Sequence, residues 1–206
     1  EGDYPVRTTI RRRPPPPMVT LLAFSGVRQP LVSTGFNRRV AEATEAAQRL
    51  AEAAGLPVEG RPVLRSYVGE VWARHADALP GMLRRRATHF FEEIKRVDRG
   101  VTAWAAGDLE AFGALVTASG ESSIRQYECG SPELTYLFER LADLPGVYGA
   151  RFSGAGFRGA CVALVDPGRV PEIAHELTLA YTARFPQHRD VFEIDTARSG
   201  PPAGIL

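Results

Sequence analysis

Seven apolar residues, Leu83, Ala87, Phe90, Ile94, Val97, Val101 and Trp104, recur at alternating steps of four and three. A helix of 3.6 residues per turn brings such a series onto one face. The spacing therefore predicts a long amphipathic helix from Leu83 to about Ala106, with a continuous apolar stripe. Gly107 follows where a left-handed C-terminal cap suits glycine, and Asp108 is placed to cap the next helix. Leu109, Phe112 and Val116 line that helix. Ser131-Pro132-Glu133 is a third start: serine at the N-cap, proline at the first helical position, an acid in the first turn. Leu134, Leu137, Phe138 and Leu141 supply its buried face. Upstream, the Ala- and Glu-rich stretch from about Asn37 to Ala54 sets Val40, Ala43, Ala47 and Leu50 at helical spacing, and Gly55-Leu56-Pro57 stops it.

After Pro145-Gly146 the period changes. Residues 147–152 and 160–165 read as two strands around a glycine-rich turn, residues 170–185 as a helix, and residues 191–194 as a final strand. Near the start, 18–24 (MVTLLAF) before Ser25-Gly26 reads as a short buried strand. The order strand, several helices, two strands, helix, strand predicts an α+β layer rather than a doubly wound sheet. At 206 residues and 44% hydrophobic content, a real core can be buried. Residues 1–17 carry Arg11-Arg12-Arg13 and four prolines, Pro14 to Pro17, and read as an extended linker.

Between the two strands stands Ser153-Gly154-Ala155-Gly156-Phe157-Arg158-Gly159. A strand-to-strand position with no Gly-Lys-Ser/Thr ending excludes both the dinucleotide fingerprint and the Walker A loop. Glycines allow positive φ and close backbone approach, and a run of free amides there can cradle an anion. A plain hairpin turn satisfies the same residues, and the physics of the stretch alone does not choose between them.

Set in order with other segments, the stretch from Gly146 through Gly159 resembles the third signature motif of the GHMP kinases, in its galactokinase branch. Ser25-Gly26-Val27-Arg28 with Phe36-Asn37-Arg38-Arg39 resembles the strand-turn-helix of that family. The segment from Ala106 to Gly113 (AGDLEAFG) resembles its helix junction. Tyr127-Glu128 with Ser131-Pro132-Glu133-Leu134 resembles its tyrosine-glutamate and serine-proline-glutamate-leucine block. Arg86-Ala87-Thr88-His89-Phe90-Phe91 and Phe157-Arg158-Gly159 look most like galacturonokinases, the plant-type uronic acid 1-kinases; ordinary galactokinases usually carry glycine where Arg158 stands. The resemblance covers residues 18 to 166.

That resemblance implies a GHMP kinase C-terminal domain over residues 18–206, a helical layer packed on a small, mainly antiparallel sheet. It implies the C-terminal part of a cytoplasmic, ATP-dependent sugar 1-kinase, with Mg²⁺, acting on galacturonate or galactose. Gly154, Ala155, Gly156, Phe157 and Gly159 would form the nucleotide-phosphate loop, with Phe36 and Arg158 toward the sugar. Arg158 can meet a uronate carboxylate bidentately; the alternative is that it points to water. Phe36 stands where the family usually carries a tyrosine, keeping the ring and losing one hydrogen bond. The family's sugar motif, serine-rich loop and catalytic aspartate lie in an N-terminal half, and the chain starts at Glu1 rather than Met. The expectation is a partner N-terminal domain, no catalytic residue on this chain, and no kinase activity from it alone. The competing class is a non-catalytic sugar-sensing or assembly module.

The remaining features carry little chemistry. A net charge of +1 gives no whole-chain reason to invoke nucleic acid or membrane. No apolar run approaches a membrane span. Lys95 is the only lysine, which leaves almost no place for a catalytic one. His75, His89, His175 and His188 are scattered outside metal-ligand spacings, so no metal site is expected. His89, beside the apolar stripe, suits packing. Cys129 and Cys161 read as reduced thiols, and Trp72 and Trp104 as core or half-core residues. Arg11 to Arg13 and Arg84 to Arg86 read as solvated clusters.

Overall fold

In the computed structural model the described residues are 17–28, 35–58 and 60–197. The linker reading of residues 1–17 falls, but for Pro17, outside them. Strand β1 (Val19–Phe24) alternates buried and half-buried side chains along its length. Val19, Leu21 and Ala23 point into the core, as a period of two requires. Strands β2 (Val147–Phe152) and β3 (Ala160–Val165) flank the glycine-rich turn, and β4 (Glu193–Ala197) closes the set. The sheet order is β2-β3-β1-β4, and every neighbouring pair is antiparallel. The α+β expectation holds. The last strand is displaced: it begins at Glu193 because the chain turns through a short 3₁₀ segment, Pro186–His188, and pairs with β1 from Phe24↔Glu193 onward.

The described residues form six α-helices, α1 (Phe36–Ala53), α2 (Glu70–His75), α3 (Gly81–Ala106), α4 (Leu109–Arg125), α5 (Pro132–Asp143) and α6 (Val170–Arg184), of which α4, α5 and α6 pack on the sheet. The predicted starts and stops hold. Gly107 takes the left-handed conformation at φ 74°, the Asp108 carboxylate accepts from the Ala111 amide, and the Ser131 hydroxyl accepts from the Leu134 amide. Helix α2 and the 3₁₀ turns Leu64–Tyr67 and Ala76–Ala78 had no counterpart in the sequence reading. None is long enough to show a period.

Two cores result. One packs the inward residues of β1, β2 and β3 against Leu134, Leu137, Phe138 and Leu141 of α5 and Ile173, Leu177 and Tyr181 of α6. The other lies between α1 and α3, with Ala47, Leu50, Leu83, Ala87 and Phe91 closed over by Leu64, Tyr67 and Leu79. Helix α4 joins them by lying directly on β2, where two glycines meet: a Cβ at Gly113 would stand 2.1 Å from the Tyr148 carbonyl oxygen. The apolar stripe of α3 is only half consumed. Leu83 and Ala87 are buried and Phe90 and Ile94 half-buried against the α1–α3 core, where Phe91, outside the predicted stripe, is buried as well; Val97 and Val101 remain 62% and 38% exposed. The core between α1 and α3 ends before the helix does.

Candidate functional site

The glycine-rich turn is closed at its base, where the Ser153 amide donates to the Ala160 carbonyl at 2.9 Å. Gly154, Gly156 and Gly159 all stand at positive φ, 73°, 74° and 95°, which glycine adopts without steric cost. Its back is anchored to β1. The Ser25 amide and hydroxyl both donate to the Gly159 carbonyl, at 2.8 and 2.7 Å. Tyr181 of α6 donates in turn to the Ser25 carbonyl at 2.6 Å. Its floor is tight: a Cβ at Gly156 would stand 2.7 Å from the Phe152 ring and 2.9 Å from Cys129 Sγ. Its rim is open, since a Cβ at Gly154 or Gly159 would meet nothing within 4 Å. Among the described residues, the amides of Gly154 to Arg158 have no backbone acceptor. An anchored turn with an open rim and unengaged amides is suited to holding an anion.

Phe157 packs toward the start of α1, with its ring 3.1 Å from a Cβ position at Gly35. Phe36 is the next residue. The fold therefore brings together the glycine-rich turn and Phe36, which are far apart in sequence. Arg158 is half-buried, and its Nε is enclosed without a hydrogen-bond partner among the described residues. An enclosed donor of this kind is normally satisfied by some acceptor.

Beneath this pair lies a charged network that the sequence reading missed. Arg86, read as part of a solvated cluster, is one of the largest fully buried side chains. Its Nε donates to Glu42 Oε2 at 2.7 Å, Nη1 to the Gln126 carbonyl at 2.6 Å, and Nη2 to Glu128 Oε2 at 2.7 Å. Arg39 bridges the same groups, from Nη1 to Glu42 Oε2 at 2.8 Å and from Nη2 to the Glu128 carbonyl at 2.9 Å. Arg38 and Arg85 complete it from the surface, on Glu42 and Glu128. The network ties the first turns of α1 to the segment 126–130, whose Cys129 floors the glycine-rich turn. It also holds Glu128 at φ 54°, the only non-glycine positive φ among the described residues. The signal was present in the helix phase: Leu83, Arg86, Ala87 and Phe90 fall at i, i+3, i+4 and i+7, which places Arg86 on the buried arc.

Burial pushes the Glu42 carboxyl up, but hydrogen bonds from Arg86 and Arg38 and the charges of Arg86 and Arg39 bring it below the usual carboxylate range. Hydrogen bonds from Arg86 and Arg85 hold Glu128 at about 2. Both cysteines are free, as expected, and both are buried. Burial lifts Cys129 to about 11, so it is a thiol rather than a nucleophilic thiolate at neutral pH. His89 takes the packing role expected of it, with Nδ1 2.9 Å from Ser122 Oγ and its ring 4.9 Å from that of Tyr127. Burial lowers it to about 4, against the opposing charge of Glu93. Among the described residues no group of three or more His, Cys, Asp or Glu gathers to hold a metal ion.

These shifts set two pH windows. His89 is held neutral, so its contribution is full above about pH 6.5 and declines as pH falls from there to about 4. Glu128 is held ionised, so its contribution is full above 4.5 and declines toward about 2. Urea midpoints measured from pH 7.5 downward should fall in two successive limbs. His89→Gln should flatten the first limb and Glu128→Gln the second; unchanged slopes in either variant would remove that residue from the account.

Three comparisons with known proteins bear on the family and the fold. The family model described as GHMP kinases C terminal matches residues 92–183. Galacturonokinase of Arabidopsis thaliana is 46% identical over 172 residues, covering 83% of this chain and 40% of that enzyme. Galactokinase of Roseiflexus sp. is 33% identical over 174 residues, covering 84% of this chain and 44% of that enzyme. The crystal structure of Lactococcus lactis galactokinase complexed with galactose superposes with a TM-score of 0.74 at 27% identity, over 87% of this chain and 44% of that one. The chain thus spans less than half the length of these relatives.

Proposed function

Because the chain is a GHMP kinase C-terminal domain, with galacturonokinase and galactokinases among its relatives, we propose that it is the C-terminal part of an ATP-dependent sugar 1-kinase, with galacturonate as the first candidate acceptor and galactose as the second. The 46% identity to a galacturonokinase carries this reading. ATP would supply the phosphoryl group transferred to the anomeric hydroxyl. The amides of Gly154, Ala155, Gly156 and Phe157 would hold its phosphates, with Gly159 letting the turn approach closely. The unengaged amides and open rim of the turn fit that task. Phe36 and Arg158 would face the sugar, the ring of Phe36 by packing and the guanidinium of Arg158 through a uronate carboxylate. The described residues offer no magnesium-holding cluster, so Mg²⁺ would be held by the phosphates and by groups outside them. The catalytic base would also lie outside this chain, in a preceding domain that completes the cleft, and the chain alone would be inactive. Two free buried thiols suit a reducing, cytoplasmic setting.

A coupled assay of ADP release tests this on the 206-residue chain and on the full product of its gene. The full product should phosphorylate galacturonate faster than galactose, and the chain alone should phosphorylate neither. Arg158→Gly should lower kcat/KM for galacturonate about tenfold relative to galactose, roughly 1.4 kcal/mol, the scale of one charge-assisted contact. Turnover by the isolated chain would overturn the division of labour. An unchanged preference in the variant would remove Arg158 from the substrate site.

A further inference from the structure

The half of the α3 stripe that no core consumes faces a cleft of about 260 Å³ between α3 and α4. Val97, Val101 and Trp104 line it from α3 and Phe112 from α4, with the rings of Trp104 and Phe112 5.0 Å apart. The two helices run antiparallel through the tight Gly107-Asp108 junction. Glu93 and Arg96 of α3 therefore lie at the same end as Ser119 of α4, and Arg151 of β2 joins them there.

The charges at that end do not balance. Both oxygens of Glu93 are taken, one by Arg96 Nε at 2.5 Å and the other by the Ser119 hydroxyl at 2.8 Å. Arg96 Nη2 is buried with no hydrogen-bond partner, and the Arg151 side chain makes no hydrogen bond or ion pair with any described residue. The end of the cleft thus carries two guanidiniums and one carboxylate, and that carboxylate is paired with Arg96. An enclosed charged donor left unsatisfied is costly, and one anionic oxygen pair placed there would relieve it. The apolar walls would meanwhile take a hydrocarbon or ring. The volume is just below the roughly 300–1,000 Å³ of drug-sized sites, so a single-ring or short-chain ligand is accommodated and a nucleotide is not. The walls offer few donors for sugar hydroxyls.

We propose that this cleft binds a small amphiphilic carboxylate, with its apolar body between Val97, Val101, Trp104 and Phe112 and its head group on Arg96 Nη2 and Arg151. The assignment is independent of the sugar-kinase reading and is tested on the 206-residue chain. Calorimetric titration with 4-phenylbutyrate, 4-phenylbutanol and 4-phenylbutylamine separates charge from shape. The carboxylate should bind about tenfold more tightly than the alcohol, the scale of one charge-assisted pair, and the amine more weakly than both. Arg151→Leu should erase the preference for carboxylate over alcohol while leaving the alcohol's affinity in place. Val101→Asp should abolish binding of the carboxylate. Val101 is at the surface and Arg151 makes no hydrogen bond or ion pair among the described residues, so neither replacement breaks a polar contact seen there, and matching thermal midpoints would verify that both variants fold. Equal binding of the three probes, or none up to their solubility limits, overturns the proposal. So does a dimer in sedimentation that Val101→Asp dissociates, because a second copy would then be the occupant.

Discussion

Replacing Arg86 with alanine is expected to destabilise the domain by about 3–5 kcal/mol, the cost of breaking a buried ion pair from one side. The Glu42 side chain is only 6% exposed, so it cannot recover its lost partner from water. Arg39 and Arg38 remain on it, but Arg39 approaches from one oxygen and Arg38 from the surface. Glu128 fares better, being 38% exposed and still paired with Arg85. Most of the loss therefore arises at Glu42 and at the Gln126 carbonyl. Urea unfolding of Arg86→Ala, Arg86→Lys and the double variant Arg86→Met/Glu42→Leu tests the mechanism. Lysine keeps the charge but cannot present three donors in a fixed fork, so it should restore only part of the stability. The double variant should recover a substantial part, because it removes the stranded carboxylate together with its partner. If Arg86→Ala unfolds at the wild-type midpoint, the network contributes no stability.

The second large effect is expected where α4 lies on β2. Gly149→Val should destabilise the domain by about 3 kcal/mol or more, the upper end for overpacking. A Cβ at 149 would stand 2.1 Å from the Gly113 carbonyl oxygen, and one at 113 the same distance from that of Tyr148. Backbone meets backbone here, so no side-chain rotation relieves the clash. Helix α4 would have to lift, breaking the bond from the Ala150 amide to the Thr117 hydroxyl at 3.2 Å. The register shift in β2 between Val147 and Gly149 falls at this point. Glycine in a strand often marks such a bulge or a close backbone approach, and this position has both. Gly154→Ala is the matching control: it has open space and a φ of 73°, so it should lose only the left-handed penalty, about 1–2 kcal/mol. Equal losses in the two variants would show that the close approach at 149 costs no more than an ordinary substitution in an open turn.

Much of the architecture was legible because it is local. The 3–4 stripe, the Asp108 and Ser131 caps, the Gly107 stop and the period-two runs at 147–152 and 160–165 each follow from neighbours within a few residues. The segment from Leu64 to Ala78 was not legible, since short turns carry no period. The last strand was read early because its limits depend on pairing with β1 rather than on its own pattern.

The candidate site divides in the same way. Its glycine-rich turn was visible as a turn between strands, and ordered motifs around it marked the family. Only the tertiary structure set Phe157 against Gly35 at the start of α1, put Cys129 under Gly156, and buried Arg86 between Glu42 and Glu128. Those contacts join residues dozens of positions apart, and no spacing rule reaches that far. A charged residue reads as solvated until its partners are known. The sequence alone determined the longer helices, the strands on either side of the glycine-rich turn, and that this turn could receive an anion. The packing of α1, α3 and the 126–130 segment decided what supports that turn, because a buried charge is stable only where distant opposite charges and carbonyls converge on it.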